Sequence, residues 1–212
     1  MGHDSATLDS HRWQALWSRL GGQGPGLEVL HRLADAYADP ARAYHTAAHI
    51  NDCLGQWDWS HELAVRPHEV EAALWFHDAV YLPGAFDNEE QSSRLAQAAL
   101  TSGGVSPPVA YRIAELILAT DHLTIPSDPD AQLLCDIDLS VLGRDQGEFD
   151  EFERRIRREY AWLPEQAYRS GRSAVLNRFL ARSAIYQTEP FVQRYEAQAR
   201  WNLKRLLADL SR

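Results

Sequence analysis

Apolar residues recur at helical spacing along almost the whole chain, and this pattern limits the available folds more than any other feature. They return every three or four positions, and Gly or Pro residues separate one such run from the next. Alternating runs of β-branched residues between turn residues, which would predict strands, are nearly absent. The sequence therefore predicts an all-α protein, a compact multi-helix array of about ten helices rather than an up-and-down bundle. The predicted helices cover residues 8–20, 27–37, 40–57, 67–78, 88–100, 107–120, 130–142, 146–162, 165–181 and 190–210.

Length and composition fit one domain over residues 1–212. The chain has 212 residues, of which 45% are hydrophobic, and no stretch has the composition of a linker. No apolar run is long enough to cross a bilayer, and the first residues lack the pattern of a secretory signal. Cys53 and Cys135 lie within apolar helical patterns and are predicted to be core residues rather than a disulfide bridge. We therefore expect a soluble, cytoplasmic protein.

The charge balance restricts the class of partner. The formal net charge is -9, which argues against a general nucleic-acid surface. It does not exclude a small phosphorylated substrate, because a bound ion can supply the positive charge. The oligomeric state is left open by the sequence.

His77 and Asp78 stand side by side in an otherwise apolar run, residues 72–81. Helical spacing surrounds both with apolar side chains and predicts that both are buried. A buried carboxylate is costly unless a positive group lies against it, and no Lys or Arg lies within one helical turn of Asp78. A bound metal ion would meet that need, but a helix cap or a distant arginine would meet it as well.

His45 and His49 are four residues apart in the predicted third helix, so they are expected on one face. Cys53 follows one turn later on the same side and indicates that His49 points inward. Two histidines at this spacing can hold a metal ion together, or one can bind metal while the other meets the substrate. Taken alone, such a pair is more often a coincidence in a surface helix.

Asp136 and Asp138 are two residues apart in the predicted seventh helix, so they point to opposite sides. Asp136 shares its side with polar neighbours. Asp138 is flanked by apolar ones, and it too has no basic residue within a turn. Asp138 is therefore the predicted buried carboxylate, and one metal ion would neutralise both it and Asp78.

Together, these separated motifs resemble the HD-domain superfamily of metal-dependent phosphohydrolases, and most closely its small bacterial branch of predicted HD phosphohydrolases. The resemblance extends over roughly residues 8–208 and implies an all-α fold. It is carried by Tyr44-His45…His49-Ile50, by Trp75-Phe76-His77-Asp78-Ala79-Val80-Tyr81, by Asn88-Glu89-Glu90-Gln91-Ser92 and by Asp136-Ile137-Asp138-Leu139-Ser140-Val141-Leu142-Gly143. The metal ligands that it implies are His49, His77, Asp78 and Asp138.

A second resemblance concerns His45. The segment 44–49 is similar to the corresponding helix of cyclic-nucleotide phosphodiesterases, which implies that His45 donates a proton to the leaving oxygen. Thr46 stands where that family has Asn.

The residue types suit hydrolysis of a small phosphorylated compound, with nucleotides as the favoured class. Imidazole and carboxylate ligands bind Mn, Fe, Co, Ni or Zn, and carboxylates also bind Mg. Such an ion activates water for attack on phosphorus while His45 protonates the departing oxygen. Asp78 or Asp138 could bridge a second ion, and the sequence leaves open whether one or two ions are bound.

Three further residues are candidates for the site. His122 is predicted to contact substrate or a second ion, or else the carbonyls at a helix end. Glu89 is predicted to orient water or substrate, although a first-turn acid on a helix dipole explains it slightly better. Arg172 is a candidate phosphate-binding cation.

Two other functions fit the same motifs. Some members of the superfamily resemble di-iron oxygenases, for which His122 and Glu89 could supply the extra ligands. A non-catalytic module that senses a nucleotide or metabolite would keep the metal and turn nothing over. Substrate choice is expected to depend on the loops at 82–88 and 122–130.

Overall fold

The computed structural model describes residues 7–212, and within that range the chain contains ten α-helices, three short 3-10 segments and no β-strand. The predicted all-α class is confirmed. The 3-10 segments are His61–Leu63, Ala119–Asp121 and Leu139–Gly143. The α-helices are α1 (Ser10–Arg19), α2 (Leu27–Tyr37), α3 (Ala47–Ser60), α4 (Pro67–Phe76), α5 (Asn88–Ser102), α6 (Pro107–Leu118), α7 (Pro129–Asp138), α8 (Gln146–Glu159), α9 (Glu165–Leu180) and α10 (Glu189–Leu210).

The chain divides into two compact units, and the boundary falls inside α7. The first unit runs to Cys135 and the second from Asp136 to Arg212, so α7 begins in one and ends in the other. The single domain expected from the sequence stays a prediction. None of the helices in the described part of the chain is both long enough and apolar enough to cross a membrane.

Helix α4 is the central element of the first unit. Its residues 72–76 are fully buried, because they are apolar on every side of the helix. The helix packs against α1, α3, α5 and α6. Its two buried acids are neutralised by neighbouring helices: Glu69 pairs with Arg112, and Glu71 accepts a 2.7 Å hydrogen bond from Arg12. The predicted helix over 67–78 ends two residues early, which leaves His77 and Asp78 in the turn that follows.

Helix α3 begins later than predicted, at Ala47 rather than at Pro40. Thr46 has an extended backbone, and its Oγ1 accepts a hydrogen bond from the amide of Ala48, which caps the helix. Residues 39–46 form turns instead of the first helical turns. The expectation that His45 and His49 share a helix face is therefore wrong, because His45 precedes the helix.

In the second unit, α10 packs against α9 and the 3-10 segment Leu139–Gly143. The fully buried Asn202 of α10 donates to the carbonyls of Leu142 and Arg144, at 2.8 and 2.9 Å. These two carbonyls lie outside the α-helices, so Asn202 supplies the hydrogen-bond donors that they need. The bonds also hold the chain in place directly after α7.

Candidate metal centre

His77 lies at the C-terminal end of α4, and its ring is buried. Its amide still makes the last helical hydrogen bond, to the carbonyl of Ala73 at 2.9 Å. Its Nδ1 lies 3.0 Å from the carbonyl oxygen of Leu74, to which it donates. Because Nδ1 is used in this way, Nε2 is the nitrogen left to face a ligand.

Three atoms of the first unit form a tight triangle. His49 Nε2 lies 3.1 Å from His77 Nε2, and Asp78 Oδ2 lies 3.2 Å from His77 Nε2 and 3.4 Å from His49 Nε2. N and O ligands held at about 2.0 to 2.2 Å from one ion lie roughly 2.8 to 3.6 Å from each other, the shorter separations at octahedral and the longer at tetrahedral angles. The donor types and all three separations therefore fit a shared metal ion.

A third possible ligand atom lies beside the same histidines. One ligand atom from each of His49, Cys53 and His77 lies within 4.8 Å of those of the other two, and all three residues are buried. With Asp78 in contact with both histidines, this group could bind a metal ion. Asp138, the last residue of α7, is half-buried and belongs to the second unit, and its role as a ligand stays a prediction.

Cys53 is a possible ligand that the sequence interpretation left in the core. It lies one helical turn after His49 on α3, and its Sγ is 3.7 Å from His49 Nε2. It is a free, buried cysteine, as predicted. The spacing of four residues from a predicted metal ligand was the available indication that its thiol faces the same place.

The prediction that Asp138, rather than Asp136, is the buried carboxylate is wrong. Asp136 is fully buried, whereas Asp138 keeps some exposure. The carboxylate of Asp136 accepts hydrogen bonds from the amides of Gln187 and Thr188 and from the Thr188 hydroxyl, at 2.7 to 3.0 Å. Main-chain and hydroxyl donors, not a metal ion, thus stabilise this buried charge.

Asp78 is ionised in this environment. Burial raises the pKa of its carboxyl, but positive charge on His77, His45 and His49, with a hydrogen bond from His77, holds that pKa well below its usual range. Its side chain is 16% exposed, so the carboxylate can be approached from one side. An ionised carboxylate between two imidazoles is a suitable cation ligand.

His45 lies beside this centre, in the turn before α3. Its ring stacks on that of Tyr81, with centroids 3.8 Å apart, and its centroid is 6.0 Å from that of His49. Tyr44 contacts both imidazoles edge-on or tilted. The stacking fixes the plane of His45 next to the metal-binding group without placing it in the triangle.

The loop after Asp78 is tied to α5 by two buried side chains. Ser92 accepts from the amide of Val80 and donates to its carbonyl, at 3.0 and 3.1 Å. Asn88 does the same for Leu82, with Oδ1 accepting at 3.0 Å and Nδ2 donating at 3.1 Å. The side chain of Asn88 is thus used by the loop, and Asp87 holds the cap position of α5.

Glu89, which lies between Asn88 and Ser92 in the sequence, is half-buried. Burial raises the pKa of its carboxyl, and the negative charges of Asp78 and Asp121 raise it further, while His122 lowers it. Its charge is therefore felt by the metal-binding group. His122 ends a 3-10 segment and is the one non-glycine residue with positive φ, +53°, among residues 7–212. The roles of Glu89 and His122 stay predictions.

Arg172 lies in α9 of the second unit. Its guanidinium makes a two-point contact with the carboxylate of Glu153 and lies over the ring of Phe152. A phosphate would have to compete with Glu153 for this cation. The predicted role of Arg172 in substrate binding stays a prediction.

The fold and the site define an all-α protein with a buried group of imidazole, thiol and carboxylate that could bind a metal ion. Comparison with protein-family models, with curated proteins and with solved structures found no match to this chain.

Proposed function

We propose that this chain is a metal-dependent phosphohydrolase that acts on a small phosphorylated compound, with nucleotides as the first class to test. The observation that carries the proposal is the triangle of His49 Nε2, His77 Nε2 and Asp78 Oδ2, whose separations of 3.1 to 3.4 Å suit one divalent ion. The resemblance of four motifs to the HD-domain superfamily supports the same activity.

The donor set favours a borderline divalent ion. Imidazole and thiolate ligands select Zn, Fe, Co or Ni over Mg, which prefers an all-oxygen shell. If Cys53 remains a thiol, the imidazole and carboxylate ligands also admit Mn. When bound, the ion would lower the pKa of a coordinated water and polarise a phosphoryl oxygen.

Side chains of the protein would bind and orient the substrate, and one of them would donate a proton to its departing oxygen. Asp78 keeps its negative charge at neutral pH, so its carboxylate is available as a ligand without losing a proton. His45 has a ring held by Tyr81 next to the ligands and would donate a proton to the departing oxygen. Glu89, whose raised pKa brings it closer to neutral pH, would exchange a proton with water or substrate.

The test combines metal analysis with a substrate panel. Elemental analysis of the purified chain is expected to find about one or two divalent ions per chain. Phosphate release would then be measured on nucleotides, dinucleotides, cyclic phosphodiesters and sugar phosphates with Mn, Co, Zn or Mg added. An Asp78→Ala variant should lose the metal, and the exposed His31→Ala variant is the matched control.

The His45→Ala variant distinguishes a role of His45 as proton donor from a role as metal ligand. It should retain metal and lose about 10²- to 10⁴-fold in turnover. Loss of metal in this variant would reassign His45 as a ligand. A chain that binds no divalent ion, or that binds one and releases phosphate from no compound in the panel, contradicts the proposed function.

One observation keeps a second candidate, the HD-type di-iron oxygenase. The charges of Asp78 and His122 both shift the pKa of the Glu89 carboxyl, and Glu89 and His122 are the residues that would supply the extra ligands. Iron content with oxygen consumption, in place of phosphate release, would favour it. Metal binding without either reaction would favour the sensing module.

A further inference from the structure

Arg42 joins the two turns that carry the chemistry of the site. It lies in the turn before α3, and its Nη1 donates to the carbonyl of Asp78 at 2.7 Å and to the carbonyl of His45 at 3.3 Å. Its Nη2 donates to the carbonyl of Ala79 at 3.1 Å. A single guanidinium therefore holds the main chain of the predicted proton donor and the main chain of a predicted metal ligand.

Aromatic rings fix the guanidinium in this position. Its central carbon lies 5.5 Å from the ring centroid of Tyr37 and 5.8 Å from that of Tyr81. Tyr37 is itself fixed, because its hydroxyl donates to the carbonyl of Trp75 at 2.8 Å. Tyr81 also stacks on His45, so the rings that hold the guanidinium and the imidazole are shared.

The turn after α4 needs these donors. Once the helix ends at Phe76, the carbonyls of Asp78 and Ala79 no longer have helical partners, and buried carbonyls must find others. Arg42 supplies them, and in doing so fixes the backbone from which the Asp78 carboxylate projects. It contacts main-chain oxygens on both sides of the turn, so it acts on the geometry of the backbone.

We propose that Arg42 is a positioning residue that sets the place of Asp78 in the metal-binding triangle and the place of His45 beside it. This inference rests on the proposed metal-dependent function. This role requires a planar side chain with several hydrogen-bond donors, because Arg42 donates to three carbonyls on two turns at once. A lysine ammonium keeps the charge but cannot reproduce that planar fork.

Arg200 provides a matched control in the second unit. Its guanidinium also donates to three main-chain carbonyls, those of Leu180, Arg182 and Ser183, at 2.8 to 3.3 Å. None of these residues belongs to the metal-binding group. Replacing either arginine with lysine removes bonds to main-chain carbonyls, and Arg200→Lys also loses a 2.6 Å bond to Glu196, so a general loss of stability would appear in both variants.

The experiment measures Co²⁺ affinity and the visible spectrum of the Co²⁺ form for wild type, Arg42→Lys and Arg200→Lys, with the free energy of unfolding alongside. Arg42→Lys is expected to bind Co²⁺ about 10- to 100-fold more weakly and with an altered spectrum, as is typical of lost support around a ligand. Arg200→Lys is expected to keep wild-type affinity and spectrum. If Arg42→Lys does not fold, Arg42→Ala with added methylguanidinium takes its place, and affinity should rise as the cation refills the gap.

Three results would overturn the positioning role of Arg42. Arg42→Lys with Co²⁺ affinity within twofold of wild type and an unchanged spectrum overturns the positioning role while leaving the proposed function intact. Equal losses in the two lysine variants also overturn it, since the effect would then follow stability alone. A wild-type chain that binds no Co²⁺ overturns the proposed metal-dependent function and this inference with it.

Discussion

Nδ1 of His77 lies 3.0 Å from the carbonyl oxygen of Leu74, and this contact determines which nitrogen can bind a cation. A carbonyl oxygen only accepts, so Nδ1 must carry the hydrogen. In the neutral ring, Nε2 then carries a lone pair, and this nitrogen lies 3.2 Å from Asp78 Oδ2. Two acceptors at that distance repel each other unless a proton or a metal ion lies between them, so protons and metal should compete for the site.

We expect metal affinity to fall as the pH falls. The pKa of Asp78 is held well below its usual range, so this carboxylate stays ionised from neutral pH down to mildly acidic pH. Protons therefore compete for the imidazole ligands, which must be neutral to bind a metal ion. Affinity for Zn²⁺ or Co²⁺, measured by chelator competition between pH 7.5 and 5, should drop about tenfold or more. Affinity that does not change over this range would contradict imidazole ligation.

Cys53 should report directly on the ligand set. Its Sγ lies 3.7 Å from His49 Nε2, close enough to join a shared ion after a small rotation. With Co²⁺ bound, a thiolate ligand gives a sulfur-to-cobalt charge-transfer absorption that imidazole and carboxylate ligands lack. We expect this absorption in wild type and its loss in Cys53→Ser, with affinity about tenfold weaker.

Cys135→Ser is the matched control for that change. Cys135 is also buried, but its thiol donates to the carbonyl of Ala119 at 3.2 Å. The Cys135→Ser variant should leave the Co²⁺ spectrum unchanged. If wild type shows no charge-transfer absorption, Cys53 is a core residue as the sequence suggested, and the ligands are imidazole and carboxylate alone.

Helix bounds could be predicted where local residues decide them. Helix α2 spans residues 27–37 as predicted, because Gly and Pro residues directly before it separate it from α1. The start of α3 could not be predicted in this way. Asp39 and Pro40 also suit a turn, and that turn continues to Thr46 because Arg42 bonds to main-chain carbonyls 36 and 37 residues away. Tertiary contacts of this kind leave no periodic pattern in the sequence.

The same reasoning explains which site residues could be predicted. His49, His77 and Asp78 were recognisable because polar groups stood in apolar runs, and all three meet in the structure. Spacing misled for Asp136 and Asp138, because it judges burial only from neighbours in the same helix. The partners of Asp136 come from residues 51 and 52 positions later, which helical spacing does not show.

Tyr168 should make the protein less stable at alkaline pH. Burial, with the nearby charge of Glu153, raises the pKa of its hydroxyl to about 12, while an unfolded tyrosine ionises near about pH 10. Its contribution is fully present below pH 10 and is lost as the pH rises toward 12, by at most about 1.4 kcal/mol per pH unit. Urea unfolding at pH 9, 10 and 11 should show a shallower decline in Tyr168→Phe than in wild type.

The exposed Tyr111→Phe variant is the control for the alkaline series. Its hydroxyl is largely in solvent, so the substitution should leave the decline at its wild-type slope. Parallel curves for wild type and Tyr168→Phe would show that the Tyr168 hydroxyl ionises at the same pH in the folded and unfolded chain.

Ser92 should hold the loop that follows Asp78. Its buried hydroxyl is bonded to both the amide and the carbonyl of Val80, so Ser92→Ala leaves two main-chain groups without that partner. We expect the free energy of unfolding to fall by about 1 to 3 kcal/mol and the Val80 amide to exchange hydrogen faster. Ser93→Ala, which removes one bond to the carbonyl of Ala114, is the control and should leave Val80 protected. Unchanged exchange at Val80 in Ser92→Ala would mean that Arg42 and Asn88 hold this loop without it.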